Sequence, residues 1–201
     1  MGKKLVLGSR NLGKIKEFQA LLKGENLILL SWQDFPYPFS VKEDGKTFQE
    51  NALKKAKTTA RITGEIAIAD DSGLEVDFLN QRPGILSARY AGPKANEEDN
   101  NAKLLQELKG VPLSKRRARF VCAIVICTPE GNWDWVEGEC RGIITESPRG
   151  DQGFGYDPIF FVPELGKTFA ELSPEEKNRI SHRARAVEKL RPLLKKYFPE
   201  G

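Results

Sequence analysis

Short apolar runs alternate with amphipathic segments along the first part of the chain. Lys4–Gly8 has the pattern of a buried strand, and the residues after it carry apolar side chains at helical spacing as far as Gly24. Asn26–Trp32 predicts a second strand. Pro36 and Pro38 predict an irregular segment after it, because neither residue can extend a strand ladder. The chain is thus expected to begin with a strand, a polar turn, a helix and another strand.

A second helix is predicted from a capping box to about Gly64, with Thr47 as the N-cap and Glu50 as the third helical residue. Small apolar residues recur every four positions on one face of this helix, which suits close packing. The neighbouring stripe is polar and consists of Thr47, Asn51 and Lys55. This polar stripe is where the helix could take part in chemistry.

Two adjacent carboxylates follow the next apolar run. Ile66–Ala69 predicts a short strand that stops at Asp70 and Asp71, and a turn at Ser72–Gly73 is expected to lead into a further strand, Leu74–Leu79. Carboxylates at the carboxyl end of a buried strand lie where open α/β sheets bind ligands. Their mutual repulsion would be relieved by a divalent cation or a nearby lysine. The alternative is a carboxylate that caps the turn beside a solvated one, but the polar stripe of the second helix favours a metal site.

The second half of the chain predicts helices at both ends of a strand-rich segment. The predicted elements are a helix from Asn96 to Gly110, strands Arg119–Cys127 and Asn132–Cys140 joined as a hairpin, short strands at Ile143–Ile144 and Phe160–Phe161, and a final helix from Ser173 that bends before Pro192. Strand–helix units combined with a hairpin indicate an α/β fold with a mixed sheet and flanking helices.

Composition narrows the class of protein. The chain has 201 residues, 39% of them hydrophobic and 30% charged, which is typical of one soluble globular domain, or at most of two small lobes. The formal net charge is only +4, which disfavours a nucleic-acid or membrane-surface protein. The longest apolar run, Phe120–Cys127, falls far short of the roughly 18 residues that span a bilayer. We therefore expect no nucleic-acid partner, no membrane segment or signal peptide, and a cytoplasmic location.

The supply of metal ligands is also limited. The three cysteines form no CxxC pair, and a single histidine excludes a multi-histidine zinc site. Any metal would therefore be a hard cation held by carboxylates.

An anion site is predicted where the first strand meets the first helix. Gly8–Lys14 fits the start of a P-loop, but Ile15 stands where a P-loop needs a hydroxyl side chain. The N–H groups of a helix N-terminus, together with Ser9, Asn11 and Lys14, would still attract an anion. The alternative, that Asn11 only caps the helix and Lys14 is solvated, is equally compatible with the sequence.

Two further segments carry candidate binding residues. In Gly153–Pro158, glycines permit close backbone approach and two aromatic rings could stack on a planar base, although a tight hydrophobic turn would look the same. On the predicted final helix, Lys177 and Ser181–Arg183 lie four residues apart and would share a face. The alternative there is a structural histidine among solvated cations.

Taken in order, six segments resemble the motifs of the inosine triphosphate pyrophosphatase family, the dITP/XTP house-cleaning enzymes. They are Ser9–Lys14 with Glu17; Glu43–Phe48 with Asn51–Ala52; Ala69–Leu74; Pro83–Gly84 with Ser87–Gly92; Phe154–Pro158; and Glu176–Lys177 with Ser181–Arg183. The resemblance extends from residue 5 to about residue 190. One departure is Ser9–Arg10, which stands where many members have Thr-Gly and adds a charge beside the phosphate loop.

The resemblance implies a Mg²⁺-dependent hydrolysis of ITP, dITP or XTP to the monophosphate and pyrophosphate. It also implies a homodimer of an elongated, two-lobed α/β fold, in which residues 1–201 form one domain with a central nucleotide cleft. A 6-oxo purine presents a carbonyl acceptor and an N1–H donor. Protein donors that face this carbonyl would be left unpaired against the amino group of adenine, and the base would be rejected.

The resemblance also assigns roles to individual residues. The residues that would hold the triphosphate are Ser9, Arg10, Asn11, Leu12, Gly13 and Lys14. Glu43 and Asp71 would hold Mg²⁺, and Asp71, helped by Asp70, would orient or deprotonate the attacking water. Lys55 would neutralise phosphate charge and Ser72 would contact the nucleotide. The residues that would hold or read the base are Phe154, Gly155, Tyr156, Asp157, Lys177, His182 and Arg183.

Two other functions stay open at this level. One is a related pyrophosphatase of the septum-inhibitor-like group, which acts on modified pyrimidine or canonical nucleotides. The other is a nucleotide sensor or an RNA-binding domain without catalysis. Mere binding would not need the pair Asp70 and Asp71 together with Glu43 and Lys55. RNA binding would require a basic face with exposed aromatic residues, whereas the only concentrated basic run, residues 115–117, is predicted to be a loop.

Overall fold

A computed structural model describes residues 2–199 and confirms the α/β class. The helices of these residues are α1 (Leu12–Leu21), α2 (Phe48–Thr63), α3 (Glu97–Glu107), α4 (Pro174–Ile180) and α5 (His182–Tyr197). The strands are β1 (Lys3–Leu7), β2 (Leu27–Ser31), β3 (Ile66–Val76), β4 (Arg82–Pro83), β5 (Arg117–Cys127), β6 (Trp133–Ile144), β7 (Phe160–Val162) and β8 (Lys167–Thr168). Within the described residues, no helix is long and apolar enough to cross a membrane.

The eight strands of the described residues form one mixed sheet. Its order is β2-β1-β3-β5-β6-β7-β8, and β4 pairs with β3 outside this path. Strand β1 runs parallel to both neighbours, with Leu5 opposite Leu29 on β2 and Ile66 on β3. Strands β4, β7 and β8 pair antiparallel with their partners. Because β5 and β6 are adjacent and joined by the short turn 128–132, they form the predicted hairpin.

The chain forms two compact units. Unit 1 comprises the residues up to Asp71, Cys122–Gly138 and the residues from Arg183 onwards. Unit 2 comprises Ser72–Val121 and Glu139–His182.

Unit 1 has an apolar cluster on each face of its strands. Because side chains alternate along a strand, Leu5 and Leu7 of β1 pack with Phe18 and Leu190, whereas Val6 packs on the other face. The residues that surround Val6 there are small: Ala52, Ala56, Ala60, Ala67, Ala69, Val125 and Cys127. Helix α2 therefore packs its alanine-rich face on the sheet, as its sequence predicted, and its N-cap Thr47 accepts a hydrogen bond from the Glu50 amide.

Strand β3 corrects one prediction from the sequence. It continues without interruption from Ile66 to Val76, so no turn forms at Ser72–Gly73. The polar residues Asp70 and Asp71 remain inside the strand because their carboxylates find cations and amide donors on both faces of the sheet. Tertiary pairing here overrides the local preference for a turn.

The predicted final helix is two helices. Ser173 caps α4 as expected, and its capping box with Glu176 is complete. Helix α4 then ends at Ile180, Ser181 adopts an extended backbone with ψ 156°, and α5 continues from His182 through Pro192. Lys177 and residues 181–183 therefore do not share a helical face, and that prediction is wrong. A serine competes for backbone hydrogen bonds and is better tolerated at a helix end than inside a helix.

Arg116 stabilises the end of α3 in unit 2. Its side chain is 3% exposed, and the guanidinium donates to three backbone carbonyls, those of Leu108 and Thr145 at 2.8 Å and that of Val111 at 2.9 Å. The carbonyls that end a helix have no partners within the helix, and a cation beside them is favourable. The central residue of the basic run 115–117 is therefore a buried structural residue.

We expect Arg116→Lys to lower the free energy of unfolding by about 2 kcal/mol, because an ammonium group cannot reach three carbonyls in a fork-like arrangement. Urea denaturation measures the change. The exposed neighbour Arg117→Lys is the matched control, and it should stay within about 0.5 kcal/mol of the wild type. Equal stability of the two variants would contradict this account of the α3 terminus.

Candidate active site

Unit 1 contains a group of charged and amide side chains, which we call the carboxylate cluster. Its members are Lys14, Glu43, Asn51, Lys55, Asp70 and Asp71. Strand β3 supplies Asp70 and Asp71, whose side chains point to opposite faces because they are consecutive in a strand. The polar stripe of α2 supplies Asn51 and Lys55, as the sequence predicted, and α1 supplies Lys14.

The Asp71 face of the cluster combines two carboxylates with one ammonium group. Lys55 Nζ lies 3.0 Å from Glu43 Oε1 and 3.6 Å from Asp71 Oδ1. The other oxygen of Asp71 accepts a hydrogen bond of 3.0 Å from Asn51 Nδ2. Lys55 and Asp71 are almost completely buried, whereas Glu43 is partly exposed. Solvent can therefore reach this face from the side of Glu43.

Asn51 links the loop that carries Glu43 to Asp71 through hydrogen bonds at both ends of its side-chain amide. Its Oδ1 accepts a hydrogen bond of 2.8 Å from the Gly45 amide, while its Nδ2 serves Asp71. A Cβ on residue 45 would lie 2.7 Å from Asn51 Oδ1, so this close approach requires glycine. Of the two neighbouring acidic residues Glu43 and Asp44, Glu43 joins the cluster, whereas the exposed Asp44 pairs with Lys42 and Lys54.

The charges on this face shift the acid–base behaviour of its members. Burial raises the pKa of Asp71 above its ordinary value, and Lys55 and Lys14 oppose only part of this effect. Burial alone would lower the pKa of Lys55, but the three carboxylates around it outweigh burial and raise the pKa. Lys55 therefore remains charged, while Asp71 is a better proton acceptor than an ordinary aspartate.

The Asp70 face is a closed network of charges. Asp70 Oδ2 lies 2.9 Å from Lys14 Nζ and 3.0 Å from Arg183 Nη2, and Arg183 also pairs with Glu17. Burial alone would raise the pKa of Asp70, but Lys14 and Arg183 outweigh it and hold the pKa well below its usual range. Asp70 is therefore a permanent anion that holds two cations.

The carboxylate oxygens on the Asp71 face fit a hard cation whose coordination shell is completed by other ligands. Among residues 2–199, no group of three or more His, Cys, Asp or Glu side chains is placed to hold a metal by itself. Magnesium, however, is often held by one or two carboxylates together with waters and substrate phosphates. Glu43 and Asp71 both contact the ammonium group of Lys55, which holds the two carboxylates close together at a partly exposed site.

The predicted anion loop folds as a capped helix start. Asn11 is the N-cap of α1, and its Oδ1 accepts a hydrogen bond of 3.0 Å from the Lys14 amide. Ser9 Oγ in turn accepts from the Asn11 amide at 3.1 Å. Asn11 therefore caps the helix, as the alternative interpretation of the sequence had it, and Ser9 supports this cap. The N–H groups of Leu12 and Gly13, in the first turn, have no partners inside the helix. Lys14 is not solvated, because it pairs with Asp70.

Unit 2 contains the second set of candidate residues, centred on residues 153–157, which we call the 153–157 turn. Asp157 Oδ2 accepts hydrogen bonds from the Phe154 amide at 2.9 Å and from Lys177 Nζ at 2.5 Å. Lys177 Nζ also lies 4.9 Å from the centre of the Phe154 ring. Gly153 has φ +78°, and a Cβ there would lie 2.1 Å from Asp157 Oδ2, so the turn requires glycine at this position.

The aromatic residues of this region differ in exposure. Phe154 is half-buried, whereas Tyr156 is buried and donates its hydroxyl hydrogen bond to the Ser87 carbonyl at 2.8 Å. His182 is also buried, and its ring stacks on Phe120 with 4.7 Å between centroids. Phe154 is therefore the more exposed of the two aromatic rings in this turn.

The structure distributes the remaining predicted residues as follows. Ser72 is half-buried on β3 directly after Asp71. Arg183 belongs to unit 1, where Asp70 and Glu17 surround its guanidinium, and not to the cluster of Lys177. Arg10 is exposed, and its guanidinium lies 3.5 Å from the Tyr37 carbonyl.

Sequence reasoning missed three of these contacts: Glu17 with Arg183, Lys177 with Asp157, and His182 on Phe120. Each joins residues 20 or more positions apart. No local pattern encodes such a pair, although Glu17 did belong to one of the resembling segments.

Comparison with known proteins gives relatives over almost the whole chain. The dITP/XTP pyrophosphatase of Geobacter sulfurreducens is 55% identical over 191 residues, which cover 95% of this chain and 96% of that protein. The dITP/XTP pyrophosphatase of Clostridium perfringens is 52% identical and covers 96% of this chain and 98% of its own length.

Solved structures give the same result. The Ham1 protein of Staphylococcus aureus superimposes with a TM-score of 0.86 at 42% identity, over 97% of this chain and all of that chain. The HAM1 protein of Coxiella burnetii gives a TM-score of 0.87 at 41% identity, over 96% of this chain and 99% of that chain. Residues 5–193 match the model of the Ham1 family, and the chain therefore belongs to that family.

Proposed function

We propose that this chain is a Mg²⁺-dependent nucleoside triphosphate pyrophosphatase that hydrolyses ITP, dITP and XTP to the monophosphate and pyrophosphate. Relatives about 50% identical over nearly the full chain bear the name dITP/XTP pyrophosphatase, which supports the reaction and the substrate class. The observation that carries the chemistry is the contact of Glu43 and Asp71 with the same buried ammonium group of Lys55. The homodimer implied by the family resemblance is part of the proposal.

The carboxylate cluster suits the charge of a triphosphate. Glu43 and Asp71 are the residues that would hold Mg²⁺, which supplies positive charge to the phosphate oxygens when bound. Lys55 adds a charge that its surroundings keep in the protonated form. Phosphoryl transfer depends mainly on such neutralisation and on positioning, so no nucleophilic side chain is needed.

Asp71 is the residue that we propose to orient and deprotonate the attacking water. The water oxygen bonds to the α-phosphorus, the bond from that phosphorus to the bridging oxygen breaks, and pyrophosphate leaves. The water proton goes to a carboxylate oxygen of Asp71. Asn51 donates to one Asp71 oxygen and fixes the orientation of the group.

Asp70 has a different role in this proposal. Its lowered pKa makes it a poor proton acceptor, and its oxygen is held by Lys14 and Arg183. We propose that Asp70 holds the side chain of Lys14 and thereby fixes the position of the first turn of α1. There the free N–H groups of Leu12 and Gly13 would bind phosphate oxygens.

In unit 2, the 153–157 turn is proposed to bind the purine base. Phe154 offers a half-exposed ring for stacking, and Lys177, whose ammonium group lies over that ring at 4.9 Å from its centre, offers a donor close to it. A donor in this position suits the 6-carbonyl of hypoxanthine or xanthine and opposes the amino group of adenine.

We expect a strong preference when pyrophosphate release is measured in parallel from ITP, dITP, XTP, ATP, GTP and dUTP with Mg²⁺. The kcat/KM for the first three should exceed that for ATP by at least about 100-fold, because the amino group of adenine cannot accept the hydrogen bond that Lys177 would donate to a 6-carbonyl. EDTA should abolish turnover, and added Mg²⁺ should restore it. A flat profile would contradict the proposed substrate class.

Glu43→Gln is expected to raise the Mg²⁺ concentration for half-maximal activity by about tenfold or more, because one of two anionic ligands is lost. Magnesium titrations of activity measure this shift. Asp44→Asn is the matched control, since its exposed carboxylate faces Lys42 and Lys54 and should leave the titration unchanged. A shift in the control and none in Glu43→Gln would reassign the metal ligand.

Asp71→Asn is expected to lower kcat by about 10³-fold, because an amide cannot accept the proton of water. The fold should stay intact, since the new side-chain oxygen can still accept from Asn51, and circular dichroism with thermal melting checks this point. Near-normal turnover in this variant would refute the assignment of Asp71 as metal ligand and base.

A further inference from the structure

Helix α3 carries two consecutive buried asparagines in unit 2. Asn100 and Asn101 are 5% and 7% exposed. Asn100 uses both ends of its amide: its Oδ1 accepts from the Ala91 amide at 2.8 Å, and its Nδ2 donates to the Ala88 carbonyl at 3.3 Å. This is the usual state of a buried amide group, and it gives Asn100 a structural role in fixing residues 88–91.

Asn101 uses only one end of its amide. Its Nδ2 donates a hydrogen bond of 3.0 Å to the carbonyl of Gly155, 54 residues along the chain, in the middle of the 153–157 turn. Its Oδ1 is buried and has no hydrogen-bond partner among the described residues. An exchange of the two amide ends would set one oxygen against another, so the contact with Gly155 fixes Nδ2 as the end that faces the turn.

A half-satisfied buried amide is costly, and packing alone does not require it. An apolar side chain of similar size would fill the same space without leaving an acceptor unpaired. The hydrogen bond to Gly155 is therefore what the asparagine adds at this position.

The carbonyl of Gly155 is held by a residue from outside the turn, Asn101 on α3. Gly155 has φ +65°, and a Cβ there would meet no atom within 4 Å, so the space into which a side chain of this residue would point is open. On either side, the Phe154 amide bonds to Asp157 and the Tyr156 hydroxyl bonds to Ser87. A glycine between these two fixed points keeps considerable backbone freedom, and the Asn101 bond removes it.

We propose that Asn101 is a positioning residue for base recognition: by holding the Gly155 carbonyl it fixes the peptide that joins Gly155 to Tyr156, one residue after Phe154, and so restricts the orientation of the Phe154 ring toward the purine. The assignment rests on the proposed function, in which Phe154 stacks on the base. Asn101 touches neither the phosphates nor the carboxylate cluster in this scheme, so its loss should act on KM and not on kcat.

The test compares Asn101→Leu with Asn100→Leu by steady-state kinetics on ITP and by urea denaturation. Asn101→Leu is expected to raise the KM by about three- to tenfold, the effect of one lost hydrogen bond, with kcat within about twofold of the wild type. Its stability should equal or exceed that of the wild type, because the unpaired acceptor is gone. Asn100→Leu should show the reverse: lower stability, because two satisfied hydrogen bonds are lost, and an unchanged KM.

A second readout follows the turn directly and needs no substrate. Amide hydrogen exchange of residues 154–156 should become about tenfold faster in Asn101→Leu and stay unchanged in Asn100→Leu. If Asn100→Leu does not fold, Asn100→Asp supplies the control, since its carboxyl group has the same shape as the amide and can still accept from the Ala91 amide while the donor to the Ala88 carbonyl is lost.

The outcomes separate the two levels of the argument. A wild-type chain that releases no pyrophosphate from ITP would overturn the proposed function and this inference with it. An active wild type whose Asn101→Leu variant keeps the same KM, or the same exchange in the turn, would overturn this inference alone. A KM that rises equally in both variants would also overturn it, because general damage to α3 would then explain the effect.

Discussion

The buried carboxylate of Asp70 sets the arrangement of charges in unit 1. It lies inside a central strand, where an isolated anion would be too costly, and Lys14 and Arg183 compensate it at 2.9 and 3.0 Å. Removing one partner from such a pair typically costs about 3–5 kcal/mol, because the other charge then stays buried alone. Helices α1 and α5 are thereby tied to the same point of β3, and the start of α1 takes a fixed position beside it.

The alternation of a β-strand allows the next residue to do something different. Because Asp71 points to the opposite face from Asp70, it meets another set of partners: Asn51, Lys55 and Glu43. Two chemically identical neighbours consequently have opposite pKa shifts, since cations dominate around Asp70 and burial dominates around Asp71. The two carboxylates of a single dipeptide therefore differ in how readily they accept a proton.

Unit 2 also contains a buried carboxylate that is compensated by a cation. Lys177 and Asp157 form a buried ion pair whose carboxylate also accepts the Phe154 amide, so a charge pair and a turn stabilise each other. Asn101 holds the middle of that turn from α3, and Gly153 gives the carboxylate room to approach. The ring of Phe154 therefore belongs to a turn that is held by hydrogen bonds on both sides of Gly155.

The sequence by itself determined the fold class, the helix starts at Thr47, Asn96 and Ser173, and the polar stripe of α2, because hydrophobic periodicity and capping depend on residues only a few positions apart. Its motifs also identified the family to which the chain belongs. The tertiary structure alone decided that β3 passes through Asp70–Gly73 and that Ser181 divides the last helix. It also decided that Glu43 joins the cluster while Asp44 does not. The partners that decide these points, such as Arg183 for Asp70, lie up to 113 residues away along the chain, and pairings at that distance leave no periodic signal in the local sequence.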